Sequence, residues 1–86
     1  MRKIVFENNS LSKFVEWESI NRKTFIRIAK LIEEIKRTPF DGTGKPEPLK
    51  GNLKGKWSRR IDDEHRIVYT VKDDEIIIHS IMGHYD

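Results

Sequence analysis

The 86-residue sequence contains no cysteine, which excludes a disulfide framework and any thiolate metal site and fits a reducing compartment. No apolar run approaches the ~20 residues that a membrane-spanning helix needs. The opening stretch MRKIVFENNS carries charges but no apolar core segment, so no secretion signal is expected, and Asn8-Asn9-Ser10 is read as a chance glycosylation match. Neither standard form of phosphate-binding glycine loop is present, and no serine has a convincing catalytic partner. No repeat or low-complexity tract interrupts the chain, so residues 1–86 read as one domain. At this length folding buries only ~60% of the surface exposed in the unfolded chain, and the core must be modest. Proline and glycine are scarce too, but they are concentrated: of three prolines and five glycines, all except Gly83 fall between Pro39 and Gly55.

What is plentiful is charge, and its placement matters more than the net +3. Residues 36–60 hold eight bases (Lys36, Arg37, Lys45, Lys50, Lys54, Lys56, Arg59 and Arg60) against two acids, Asp41 and Glu47. A basic segment this dense on a small domain suits a polyanion such as RNA or DNA; a solvated loop and strand face is the plainer alternative.

Arg2 to Phe6, rich in β-branched and aromatic residues, reads as an opening strand. Asn8, Asn9 and Ser10 offer capping chemistry for a helix over residues 10–19, with Leu11, Phe14, Val15 and Trp17 at helical spacing. Asn21 can cap a second helix. There Phe25, Ile28, Ala29, Ile32 and Ile35 form an apolar stripe, and Pro39 ends it, because the residue before proline avoids the α region. Residues 38–55 form a long connection with room for no more than a short turn. Strands follow over 56–61, 66–72 and 75–82, joined by the tight acidic turns Asp62-Asp63-Glu64 and Asp73-Asp74. The expected architecture is α+β, β-α-α-β-β-β, with a two-helix hairpin on one face of an antiparallel sheet.

Strand alternation then sorts the cations. Trp57, Arg59 and Ile61 share one side of the second strand; Lys56, Ser58 and Arg60 share the other. In the third, Arg66, Val68 and Thr70 lie opposite the apolar Ile67, Tyr69 and Val71. Arg60 and Arg66 can therefore stand together, if the hairpin register pairs them. Glu47 sits between Pro46 and Pro48, which restrict the backbone on both sides. Alone, it reads most simply as a solvated or lysine-paired carboxylate. Together with His84 in the closing Met82-Gly83-His84-Tyr85-Asp86 and the cations nearby, it completes a kit for metal-free RNA cleavage. Glu47 takes the proton of a 2′-hydroxyl, His84 returns one to the leaving 5′-oxygen, and cations offset the charge that builds on phosphate. Tyr85 can stack on a splayed base or anchor the tail as an apolar plug. His65 reads as structural or solvated and His79 as a strand histidine with a local partner. The acids of Asp62-Asp63-Glu64-His65 diverge in a tight turn, so no metal or other cofactor is expected.

Arg37-Thr38-Pro39-Phe40, Gly42, the run Gly44 to Lys50, Asn52-Leu53, Gly55, Trp57 to Ile61, Glu64-His65-Arg66, Val68-Tyr69 and the closing His84-Tyr85 carry a resemblance over nearly the whole chain. The sequence resembles the YoeB/Txe toxins of bacterial type II toxin–antitoxin modules, within the RelE-like superfamily. The resemblance implies a RelE-like microbial RNase fold and a cytoplasmic endoribonuclease that cuts mRNA in the ribosomal A site, inhibiting translation. It implies Glu47 as general base, His84 as general acid, Arg66 as the cation on the transition-state phosphate and Tyr85 as the substrate-orienting aromatic. Lys50 and Arg60 correspond to supporting cations, and Lys45, Lys54, Lys56 and Arg59 complete the expected RNA-binding set. The implied product is a 2′,3′-cyclic phosphate, and the implied partners are a cognate antitoxin and a second copy of the chain. The alternatives are a non-catalytic, gyrase-inhibitor-like toxin on the same fold and a plain RNA-binding module. Two features depart from the family pattern. Asp86 follows the His-Tyr pair and should favour the imidazolium form of His84, and Gly83 is expected to loosen the tail.

Overall fold

A computed structural model describes residues 2–83 of the chain; His84, Tyr85 and Asp86 lie outside the described residues. The chain runs through β1 (Lys3–Phe6), α1 (Ser10–Ile20), α2 (Arg22–Arg37), β2 (Glu47–Pro48), a 3₁₀ turn (Gly51–Leu53), β3 (Trp57–Arg60), β4 (Arg66–Val71) and β5 (Glu75–Ser80). The expected helices and strands are all found, within two residues at each end. The long connection holds two further pieces, β2 and the 3₁₀ turn.

The strands form one sheet in the order β1-β5-β4-β3-β2. The pairs β2–β3, β3–β4 and β4–β5 are antiparallel, the last two as their short turns required. β1 joins the edge of β5 in parallel, so the sheet as a whole is mixed. A parallel neighbour needs a long crossover, and the helical hairpin and the other strands supply it.

The helices cover one face. α2 buries Ile28, Leu31, Ile32 and Ile35, an i, i+3, i+4, i+7 stripe. They meet Ile61, Ile67, Tyr69, Ile76, Ile78 and Ile81 from the sheet. Each fully buried isoleucine contributes about 1.5–3 kcal/mol relative to leaving it exposed. Asn21 caps α2 as expected, its side chain accepting from the Thr24 amide at 3.2 Å. At α1 the outcome differs. Asn9 stands at the cap position without a side-chain bond, and the buried Ser10 hydroxyl donates to the Ile78 carbonyl instead. α1 turns Phe14 and Trp17 inward and leaves Leu11 and Val15 exposed. The inward face thus runs Ser10, Phe14, Trp17, with Phe14 stacked between Phe6 and Phe25.

One irregularity prepares the chain's exit. β4 and β5 slip register between Val68 and Tyr69: Tyr69 pairs with Ile78, but Val68 pairs with Ser80. His79 is the extra residue of a bulge, and the bulge changes the alternation. Ile76 and Ile78 point into the core, and so does Ile81, three residues on and fully buried.

Candidate active site

β3 carries two consecutive arginines on opposite sides, and the two have different environments. Arg59 shares the core side with Trp57 and Ile61 and has no exposed surface. Its Nε donates to the Tyr69 hydroxyl at 3.2 Å. Nη1 donates to Glu34 Oε1 at 2.5 Å and to the Thr43 carbonyl at 3.2 Å. Nη2 donates to the carbonyls of Thr38 and of Asp41, the latter at 2.7 Å. Tyr69 in turn donates to the Pro39 carbonyl at 2.7 Å. Arg59 was expected among the RNA-binding cations. That expectation is corrected: all three guanidinium nitrogens are engaged inside the protein, where no nucleic acid reaches them.

Glu34 completes this buried anchor. Its carboxylate also accepts from the Thr43 amide at 2.9 Å and the Thr43 hydroxyl at 3.2 Å. Partial burial raises its pKa, but the Thr43 bonds and the Arg59 charge outweigh that, and the carboxyl lies below its ordinary value. Burial pushes the Tyr69 phenol up, against the pull of Arg59. The anchor gathers residues 38–43, and two glycines let the loop approach β3. A Cβ on Gly42 would sit 2.9 Å from Glu34 Oε1, and one on Gly44 would sit 2.9 Å from the Arg60 carbonyl oxygen. Both take positive φ, and the Arg60 amide donates to the Gly44 carbonyl at 2.7 Å.

From that fixed point the chain enters β2. Glu47 pairs with Ser58 and Pro48 with Trp57. Pro48 donates nothing to a ladder and is tolerated because β2 is an edge strand. Downstream, Leu49 is buried and its amide donates to the Lys56 carbonyl at 2.9 Å. The segment holding Glu47 is thus tied on both sides and paired in the middle.

The register places the site. Arg60 pairs directly with Arg66, and Ser58 with Val68. Directly paired residues project to the same face, so Glu47, Ser58, Arg60, Arg66 and Val68 share the face opposite the helices. Along the strand, Glu47 and the arginine pair are two residues apart, roughly 7 Å, with neighbouring strands ~4.8 Å apart. Glu47 and Arg60 are exposed; Arg66 is half-buried. Arg66 Nη1 donates to the carbonyls of Asp62 at 2.9 Å and His65 at 3.0 Å, which braces the side chain over the β3–β4 turn. Among the described residues, Arg60 makes no side-chain hydrogen bond or ion pair. Lys45, Lys50 and Lys54 are exposed on the connection and Lys56 is half-buried at the start of β3. A groove of about 430 Å³ lined by Lys23, Ile26, Arg27 and Lys30 lies along α2, on the helical side and away from Glu47. On the face of the candidate site Glu47 and Arg60 are exposed at the β2 edge and the end of β3, while Ser58 and Val68 between them are buried.

The remaining histidines are partnered, as their sequence positions suggested. His79 of β5 joins β4 to the residue after β1: Nε2 lies 2.7 Å from the Thr70 hydroxyl and Nδ1 2.7 Å from the Glu7 carboxylate. His65 sits in the β3–β4 turn, where Asp62 Oδ1 accepts from the amides of Glu64 and His65 at 2.9 and 2.7 Å. Burial opposes the Asp62 charge, but those amides, His65 and Arg66 together hold its carboxyl below the ordinary value. His65 Nδ1 accepts from the Gly83 amide at 2.8 Å, and the Gly83 carbonyl accepts from the Arg66 amide at 3.1 Å. Gly83 was expected to loosen the tail; instead it is held through both its amide and its carbonyl. The expectations for His84, Tyr85 and Asp86 fall on residues outside those described.

The model of a family described as the YoeB-like toxin of bacterial type II toxin–antitoxin systems matches residues 6–85. Toxin YoeB of Mycobacterium bovis is 52% identical over 85 residues, covering 99% of this chain and 100% of the relative. Among solved structures, a chain of a YoeB-YefM complex from Staphylococcus aureus superposes with a TM-score of 0.87 at 41% identity, covering 99% of both chains. A YoeB dimer from the same species gives a TM-score of 0.88 at 40% identity, covering 98% of both.

Proposed function

Because the chain belongs to the YoeB-like toxins of bacterial type II toxin–antitoxin systems, we propose that it is a metal-independent endoribonuclease that cuts mRNA in the ribosomal A site. The observation that carries this reading is the face shared by Glu47, Arg60 and Arg66. A single carboxylate beside paired cations meets the needs of 2′-hydroxyl attack on phosphorus. The Glu47 carboxylate takes the 2′-hydroxyl proton as that oxygen bonds to phosphorus. Arg66, with Arg60 and Lys50, offsets the charge that develops on the phosphoryl oxygens. His84 donates its proton to the departing 5′-oxygen as the P–O bond breaks, leaving a 2′,3′-cyclic phosphate and a 5′-hydroxyl. Tyr85 stacks against a base of the substrate. Lys45, Lys54 and Lys56 contact backbone phosphates, without sequence preference. The partners on this reading are the ribosome with its mRNA, a cognate antitoxin and a second copy of the chain, and the place of action is the cytoplasm.

Primer extension on translated mRNA, with and without ribosomes, tests the proposal. Glu47→Ala, Arg66→Ala and His84→Ala should each lower ribosome-dependent cutting by about 10²–10⁴-fold, the range typical for a lost proton-transfer or charge-stabilising group. Undiminished cutting by all three variants would overturn the assigned site. A wild-type protein that binds RNA with a steep salt dependence but never cuts it would make the chain a plain binding module.

A further inference from the structure

His65 lies where three parts of the molecule meet: the β3–β4 turn, α1 and the segment after β5. Its backbone is fixed by the Asp62 carboxylate, and its carbonyl accepts from the Ile61 amide at 2.9 Å. Its ring packs against the edge of Trp17 from α1, with centroids 5.0 Å apart and planes at 80°. Its Nε2 lies 3.7 Å from Glu64 Oε1. Its Nδ1 accepts from Gly83, and an amide can only donate, so Nδ1 carries no proton in this arrangement. The same segment is held twice more: Trp17 Nε1 donates to the Ile81 carbonyl at 3.4 Å, and the Arg66 amide donates to the Gly83 carbonyl. Gly83 itself has positive φ, where an L side chain would be strained, and no atom of the described residues lies within 4 Å of the place a Cβ would take. The glycine thus serves the turn's conformation rather than a tight fit.

We propose that His65 is a positioning residue for the chain's last proton donor: by accepting from the Gly83 amide through Nδ1, it sets where His84 begins. This rests on the reading of His84 as general acid. Only one peptide unit separates Gly83 from His84, so on this proposal a displaced Gly83 shifts the point at which His84 joins the chain. The neighbouring residue, Arg66, holds the other side of the same glycine through its own amide while offering its guanidinium to the phosphate. One dipeptide, His65-Arg66, therefore holds Gly83 through both its amide and its carbonyl. Misplacement of a reacting group by about 1 Å can cost ~10²-fold in rate, so such a brace has a measurable consequence.

The test compares two replacements of the same ring. His65→Leu keeps an apolar body against Trp17 but removes the acceptor. His65→Asn places a carboxamide oxygen at the Nδ1 position and restores it. Single-turnover cleavage of mRNA on programmed ribosomes should slow about 10- to 100-fold in His65→Leu, while ribosome binding is retained. His65→Asn should cut at close to the wild-type rate. Amide exchange at Gly83 should accelerate in His65→Leu and return towards wild type in His65→Asn. Should His65→Leu fail to fold, His65→Gln replaces it, because its carboxamide reaches the Nε2 position and not Nδ1; it should behave as the leucine variant does. Equal rates in the acceptor-deleted variant and wild type, or an asparagine variant as slow as the acceptor-deleted one, would overturn the proposal. His84→Ala run in parallel separates the two failures. If it is inactive while the acceptor-deleted variant cuts normally, only the brace is wrong. If it too cuts normally, the acid has been misassigned and the brace falls with it.

Discussion

Arg59 and Arg60 are adjacent, chemically identical and on the same strand, yet one is part of the core and the other part of the surface. The alternation of β3 alone separates them. On the core side, Arg59 makes five hydrogen bonds, and it draws the residue 38–43 loop onto the sheet. On the other side Arg60 pairs with Arg66 and stays exposed. Two like charges on directly opposed residues are unfavourable for a sheet. Arg66 turns its guanidinium to the carbonyls of Asp62 and His65, and the Glu47 carboxylate shares the face of the two arginines. Buried charge here builds the platform, and on the proposed function the exposed charge meets the RNA.

The comparison breaks most visibly at Arg59. Arg59→Met should destabilise the fold by about 3–5 kcal/mol, the cost of removing one partner from a buried ion pair. In a domain of this size each kcal/mol lowers the melting temperature by ~4–8 °C. Urea melts followed by tryptophan fluorescence would measure it. The double variant Arg59→Met with Glu34→Leu should not recover wild-type stability, although many buried ion pairs can be exchanged for apolar ones. The carbonyls of Thr38 and Asp41 would still lack their donor. A double variant as stable as wild type would reduce the anchor to a simple ion pair. Next in size is Tyr69→Phe, which removes the donor to Pro39 and the acceptor for Arg59 Nε, at about 1–3 kcal/mol.

Acid should reveal the same anchor. Glu34 has a carboxyl pKa lowered in the fold: burial opposes the charge, but Thr43 and Arg59 outweigh it. A lowered native pKa means that the unfolded chain binds the proton more readily. The stabilisation is therefore complete above the ordinary glutamate value of about 4.3 and is lost as pH falls through the lower native value. Asp62, lowered in the same direction, adds to that loss. Melting temperature against pH should fall more shallowly over this acid range in Glu34→Gln than in wild type, though from a lower plateau.

How much of this could be read in the sequence depended on how local its cause is. The stripe of α2 and the Asn21 cap lie within a few turns of one helix, and both were legible. β2 was not, because two residues with a proline carry no period, and its pairing depends on β3. The parallel partner of β1 is about seventy residues away, and nothing near Ile4 announces it. Leu11 and Val15 looked like core residues because spacing alone does not say which arc of a short helix faces the sheet; Trp17 and Ser10 decided it. Arg59 is the instructive miss. Its neighbours Trp57 and Ile61 marked its side as apolar, but a count of positive charge along the segment grouped it with the exposed lysines. The buried Tyr69 hydroxyl and Glu34 that receive it come from other elements. At the site, Glu47 and Arg66 were legible as residue types. Their common face required the register.

The smallest stability effect belongs to Arg60, and it sharpens the comparison more than the large ones do. Arg60→Met removes a charge that forms no hydrogen bond or ion pair with any described residue, so the unfolding free energy should stay within ~0.5 kcal/mol of wild type. If the face meets phosphate, the loss should appear in binding instead. The slope of log affinity against log salt for single-stranded RNA should become shallower by about 0.7, the value for one phosphate contact. Arg59→Met, measured at a temperature where it remains folded, should leave that slope unchanged, because its guanidinium never faces the nucleic acid. Fluorescence anisotropy over a salt series distinguishes them. Equal slopes in wild type and Arg60→Met would remove Arg60 from the interface. A reduced slope in Arg59→Met would mean that the loop it anchors, with Lys45, Lys50 and Lys54, brings its own charge to the RNA only when the anchor is intact.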